Sequence, residues 1–227
     1  MNKEVVSEQG QLCLQALLRV WFEFERNLGK VPIVQRLEQG RISLEDYRNL
    51  LLNMRQQVIE GSRWISRSAS SFDRDFADVR SEIIGHALDE HRDYEILERD
   101  YVNAGGELTD IQNAQRNIGS EALHGFMMHR ATRANPVDMI GAMWIIEGLG
   151  NKMALSWAKN IEEVFGTGKE IAKFMHYHGA NDEQHLDKLY RMIDRVCQRE
   201  ENTAAILRTA KVVARLYLLQ LEEVDNV

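Results

Sequence analysis

The chain has 227 residues, 44% of them apolar and 28% charged, the composition of a globular chain long enough for a real hydrophobic core. Its 28 lysines and arginines against 35 aspartates and glutamates give a net charge of −7 with no basic run, which argues against a nucleic-acid or anionic-membrane surface. With only two prolines, a Pro-rich linker, collagen and a turn-rich β-sandwich are all disfavoured, and long uninterrupted helices are favoured.

Residues from about 8 to 27 carry Leu14, Leu17, Leu18, Trp21 and Phe22 at helical spacing, and Gly29 and Pro32 close that segment. A short piece from Val31 to Leu37 stops at Gly40. Ser43 reads as the N-cap of a second long helix, Leu44 to Ser68, with Tyr47, Leu50, Leu51, Met54, Val58 and Ile65 on its apolar stripe. A third runs from Asp73 to Ala104 and ends at Gly105-Gly106. Thr109 caps a fourth, ending near Thr132. Asn135-Pro136 places an N-cap before a proline at the first helical position of a fifth, which stops at Phe165 and Gly166. A sixth runs from Thr167 to Arg199 and a seventh from Asn202 to Leu221. No segment alternates with period two for long enough to make a strand. The expectation is a single all-α domain over residues 1–227, a bundle of about seven helices.

Cys13 and Cys197 lie near opposite ends with no motif spacing. Their number excludes a disulfide framework and a cysteine zinc site, and it fits a reducing compartment. The opening Met-Asn-Lys-Glu-Val-Val-Ser-Glu-Gln is too polar for a signal peptide. No stretch approaches the roughly 18 apolar residues of a membrane span. A cytoplasmic protein is expected.

Two helices carry the same polar stripe. His86, Glu90 and Asp93 stand on the third and His178, Asp182 and His185 on the sixth, both sets at i, i+4, i+7. At about 100° per residue each set occupies one narrow face of its helix. Imidazoles and carboxylates converging from facing helices are what a metal site inside a bundle requires. The competing reading is a pair of solvated faces with intrahelical ion pairs. Leu97 and Ile83 continue the first stripe, and Ile171, Phe174, Met175 and Leu189 flank the second, as inward faces would have it. The fifth helix is apolar nearly all round from Met139 until Glu147, and a buried carboxylate needs a partner. That partner is a metal ion or a cation such as Lys152 or Arg63. Seven donors are too many for one ion. They suit two iron ions, or manganese, with a bridging carboxylate and open positions for oxygen or substrate. Zinc takes fewer ligands.

Val31-Pro-Ile-Val-Gln-Arg-Leu-Glu-Gln-Gly40-Arg-Ile-Ser-Leu-Glu-Asp-Tyr47 resembles the start of proteins with the heme-oxygenase-like helical fold. That superfamily includes the thiaminase II (TenA) group and pyrroloquinoline-quinone synthase. Trp144-Ile-Ile-Glu147-Gly resembles its central helix, and His178-x3-Asp182-x2-His185 resembles the signature of its diiron oxidases and oxygenases. The similarity covers nearly the whole chain. It implies that Glu147, His178, Asp182 and His185 are iron ligands. It further implies a two-iron cofactor, O2 as co-substrate, and oxidation of a small organic acid, amine or amino acid.

On the third helix the family presents a glutamate followed by a histidine. Here Glu90 or His86 is followed instead by Asp93, and His86 stands one turn earlier to compensate. Glu60, on the preceding helix, is an additional candidate ligand. Met127, Met128, Met143, Trp144, Met153, Phe174 and Tyr177 are candidates for a substrate pocket, against the commoner role of such residues as plain core. A homodimer acting on a small molecule is expected, with no nucleic-acid or membrane partner.

Other readings fit less well. A thiaminase-like hydrolase needs a cysteine nucleophile with a base, and neither cysteine falls on a central helix. A cofactorless oxidase resembling the quinone synthase leaves the second stripe without purpose. A ferritin-like protein needs Glu-x-x-His twice, and only Glu121-x-x-His124 fits. A non-catalytic TenA-like binding module with a degraded metal site is kept open by Asp93.

Overall fold

A computed structural model describes residues 7–166 and 170–226, apart from the side chains of residues 181–184. Ser7 accepts a hydrogen bond from the Gly10 amide and starts α1 (Glu8–Leu28). Pro32, which needs no amide partner in a first turn, opens α2 (Pro32–Glu38). Ser43 and Asp46 exchange backbone bonds in a capping box at the head of α3 (Leu44–Ser71). A 3-10 turn (Arg74–Phe76) leads into α4 (Ala77–Asp89), followed by α5 (Tyr94–Asn103) and α6 (Leu108–Asn113). Then come α7 (Ile118–Ala131), α8 (Met139–Leu149), a π-helical turn (Gly150–Ala154) and α9 (Leu155–Phe165). The chain closes with α10 (Lys173–Val196) and α11 (Glu200–Glu222). Every regular element among the described residues is helical, as the sequence pattern requires.

Four of the expected long helices have different bounds. The third is broken: α4 stops at Asp89, residues 90–93 form a turn, and α5 starts at Tyr94. The fourth divides into α6 and α7. Thr109 lies inside α6 rather than capping it, and Asn117 caps α7 by accepting from the Ser120 amide. The fifth starts at Met139, because Asn135 adopts φ 47° and its side chain donates to Asp73, which holds Pro136 in the preceding loop. It is also interrupted by the π turn. The sixth begins as α10 at Lys173; its expected start, Thr167, lies outside the described residues.

The buried apolar side chains form one contiguous cluster running from Cys13 in α1 to Val224. Trp21 meets Phe24 and Trp144 edge-on near its middle, a geometry that adds to simple burial. α10 packs against α1, α8, the π turn and α9, while α4 packs against α3 and α10. α11 lies against α1, α7 and α8. Its backbone is so close that a Cβ on Gly119 would fall 2.2 Å from the Gln220 nitrogen, and one on Gly141 would fall 2.2 Å from the Ile206 carbonyl oxygen. Among the described residues no helix is long and apolar enough to cross a membrane.

Candidate metal centre

α4 and α10 meet so that the two polar stripes pair end to end. His86 lies beside His185, their rings stacked with centroids 4.6 Å apart and 24° between planes. Seven residues along each strand of the pairing, His178 Nε2 comes within 3.4 Å of Asp93 Oδ2. The partners therefore run in opposite directions, early with late. Although residues 90–93 leave the helix, their turn keeps short-range backbone bonds, from the Glu90 amide to His86 O and from the Asp93 amide to Glu90 O. Glu90 and Asp93 thus keep facing inward with His86.

α8 supplies Glu147 between the two histidines. Its Oε1 is 2.9 Å from His86 Nε2 and its Oε2 is 3.0 Å from His185 Nδ1. Glu90 Oε1 lies 3.6 Å from the same His185 nitrogen. The far nitrogen of His185 looks outward to Asp89 at 3.6 Å, and Lys188 donates to Asp89 at 2.9 Å. A carboxylate behind a histidine fixes its ring orientation.

Donor atoms of His86, Glu90, Glu147 and His185 lie within 4.8 Å of one another, and so do those of Glu90, Asp93 and His178. Two groups of donors share Glu90. The side chain of Asp182 lies outside the described residues. Glu60 belongs to neither group: it is buried against Arg63 and Arg116, which donate to it at 2.9–3.0 Å. Arg63 is thereby occupied, Lys152 is exposed, and the partners of Glu147 are imidazoles rather than a lysine or arginine.

The electrostatics are those of a crowded anionic pocket. Burial, reinforced by the neighbouring Glu147 carboxylate, pushes Glu90 up to about 7. Burial acts on Glu147 in the same sense, but His86 and His185 outweigh it and hold Glu147 well below the ordinary carboxylate range. Several buried carboxylates facing one another are costly without a compensating cation.

Three local facts fit a metal ion. The His86 nitrogens, Glu90 Oε1 and Asp93 Oδ2 are buried without a hydrogen-bond partner. His86 Nε2 stands at hydrogen-bonding distance from Glu147 Oε1 and yet is not aligned for a bond. Two donors that share one ion at about 2.1 Å have such a separation and such mutual misalignment. Mixed imidazole and carboxylate donors are also the set that suits iron and manganese.

The donors open on a cavity of about 100 Å³, of which Glu90, Glu147 and His178 form one wall. Of the expected pocket residues, Met127, Met143 and Phe174 border it. Trp144, Met153 and Tyr177 are not among its lining. Trp144 is turned against Trp21, Met153 packs on the core from the π turn, and Tyr177 is 40% exposed with its edge to His178. Met128 packs on the core from outside the cavity. Gln57, Trp64, Trp157 and Tyr217 complete the walls from α3, α9 and α11, and nothing in their spacing singles them out from other core residues. Neither cysteine borders the cavity.

A family model described as iron-containing redox enzyme matches residues 62–218. No curated protein matches the chain. Among solved structures, a domain of unknown function with a heme oxygenase-like fold from Shewanella denitrificans superposes with TM-score 0.85 at 16% identity, covering 92% of this chain and 90% of that one. A TenA homologue from P. horikoshii gives 0.77 at 16% identity, covering 93% and 97%. A TenA homologue from Pseudomonas syringae gives 0.78 at 12% identity, covering 100% and 96%. At such identities the structures speak for the fold, which is heme-oxygenase-like and TenA-like. The match over residues 62–218, most of the chain, says more: the chain belongs to the family of iron-containing redox enzymes.

Proposed function

We propose that the protein is a non-heme diiron, O2-dependent oxidase or oxygenase acting on a small organic acid or amine. The observation that carries this reading is Glu90, a buried carboxylate common to two donor groups, which is the part a bridging ligand plays between neighbouring ions. His86, Glu147 and His185 would hold one ion; Asp93 and His178, with Asp182 as a further ligand, would hold the other. Bound there, iron supplies the electrons and the open positions at which O2 is reduced.

The chain's own residues do the rest. Asp89 and Lys188 fix the ring of His185 from behind. Phe174, with its ring centroid 4.3 Å from that of His178, packs an apolar ring against the second group. Among the described residues the charged lining of the cavity is confined to the Glu90, Glu147 and His178 wall, with no lysine or arginine bordering it. A substrate would therefore lay an apolar body against Met54, Ile65, Met127 and Met143 and turn its one polar head towards the metal wall. A small acid or amine with an apolar body suits that lining.

Anaerobic titration with Fe(II) should saturate near two ions per chain, and exposure to O2 should give a transient visible absorbance. His178→Ala should abolish that absorbance with helical content retained. Iron uptake in His178→Ala equal to that of the parent would overturn the assignment.

A further inference from the structure

Four glycines inside helices are there because a neighbour comes close. A Cβ on Gly119, Gly141 or Gly179 would fall 2.2–2.4 Å from an atom of another element, and one on Gly148 would meet the Trp21 ring at 3.1 Å. Gly61 is different. It lies in the interior of α3, where glycine weakens a helix, and yet a Cβ there would meet no heavy atom within 4 Å. α3 faces the cavity with Met54, Gln57, Val58, Gly61, Trp64 and Ile65. At about 100° per residue, counted from Met54, that face runs from Trp64 at about −80° to Val58 at about +40°. Gly61, at about −20°, is its midpoint. A side chain at this position would point into the hollow, and the hydrogen that stands there leaves the space open. Gly85 and Gly125 also have open space around them, but neither lines the cavity.

We propose that Gly61 is the specificity-determining residue of the substrate chamber: its missing side chain admits an acid or amine with a bulky apolar body, and a larger residue there would restrict the chamber to slimmer ones. The residue acts through space alone. Neither donor group takes a residue from α3, so its cavity face meets the part of a guest that lies away from the Glu90, Glu147 and His178 wall. Around position 61 that face is largely apolar, with Met54, Val58 and Ile65 beside the glycine. Its polar atoms are turned to other partners: Gln57 accepts from Gln220 at 2.9 Å, and Trp64 donates its indole N–H to His124 at 3.2 Å. A guest that fills the space supplies the dispersion contacts the glycine does not, and in an apolar pocket even one methylene changes discrimination about tenfold or more. The proposal rests on the reading of this cavity as the substrate chamber, and not on the number of ions beside it.

Gly61→Ala, Gly61→Leu and, as a control away from the cavity, Gly125→Leu should be compared with the parent. Because the space is open all three should fold, and Gly61→Ala should raise the melting temperature by about 2–4 °C through helix propensity alone. Anaerobic calorimetric titration of the Fe(II)-treated proteins should set phenylacetate and phenethylamine against naphthylacetate and naphthylethylamine. The parent should bind at least one naphthyl probe. Gly61→Leu should weaken that probe about tenfold relative to its phenyl counterpart, Gly61→Ala should weaken it less, and Gly125→Leu should leave the ratio unchanged. Equal ratios in the parent and Gly61→Leu would overturn the proposal. So would a parent that binds none of the four probes, a Gly61→Ala that melts below the parent, or a Gly61→Leu that fails to fold, since the space it needs would not be there. Iron uptake measured on the same samples keeps the two readings apart: a parent that takes up no iron, but whose probe ratio still shifts on substitution of Gly61, sinks the metal centre and leaves the size filter standing.

Discussion

Glu90 faces His86, Glu147 and His185 on one side and Asp93 and His178 on the other, so the two donor groups stand or fall together through it. In a two-ion protein, Glu90→Ala should reduce bound iron from near two per chain to near zero. Asp93→Ala, which touches one group only, should leave close to one. Elemental analysis after anaerobic loading checks both, and equal losses in the two variants would mean that Glu90 is not shared. Sequence reasoning reaches these residues because each breaks a local rule: Glu147 is a charge in an otherwise apolar helix, and the stripes put histidine and acid on one face. It does not tell Glu60 from a ligand. What occupies Glu60 is Arg63, three residues along α3, together with Arg116, which tertiary packing brings from the loop before α7 and no local spacing records.

Among the elements, α10 depends on a cap from outside itself. The Asp100 carboxylate in α5 accepts from the Phe174 amide at 2.9 Å, a task given to no residue of the α10 N-terminus, where Ala172 makes no side-chain cap bond. Burial raises Asp100 from its ordinary 3.8 to about 6, despite the opposing Phe174 and Lys173 amide bonds. A carboxyl whose folded value lies above its unfolded one favours folding while protonated. Its contribution is fully present below pH 4 and is lost as pH rises towards 6. Asp100→Asn keeps an oxygen for the amide and removes the titration. Its stability in urea should therefore fall less between pH 4 and pH 7 than the parent's, by about 2–3 kcal/mol. Identical pH profiles would refute this.

Helix ends with side-chain logic, such as Ser43 with Asp46, are legible in the sequence. The break at residues 90–93 is not, because Glu-His-Arg-Asp contains neither glycine nor proline. The π turn after Glu147 is likewise invisible to a 3.6-residue pattern, although such bulges gather near functional sites.

For the molecule as a whole, a site assembled from α4, α8 and α10 and the turn between α4 and α5 links metal binding to global stability. Ligands that bind only the folded state stabilise it by about 2.7 kcal/mol at a hundred times Kd, which for a chain of this size is roughly 5–10 °C per site. Fe(II) or Mn(II) should raise the melting temperature of the parent by at least that much and leave Glu90→Ala unmoved; a parent indifferent to both ions would contradict a preformed centre. The all-helical class is legible from the missing period-two pattern, and the fold from its motifs. The cavity is legible only in part, since Met127 and Phe174 differ from Trp144 and Tyr177 not in kind or spacing but in which side of the packed interior was left hollow.

α11 contributes Tyr217 and Leu221 to that hollow, and its distance from the rest of the protein is governed at two places by the hydrogens of Gly119 and Gly141. A methyl group at either spot must lever the whole rod outward, carrying those two side chains with it. Room for a bulkier guest can therefore be made from remote positions, leaving every wall of the chamber chemically intact.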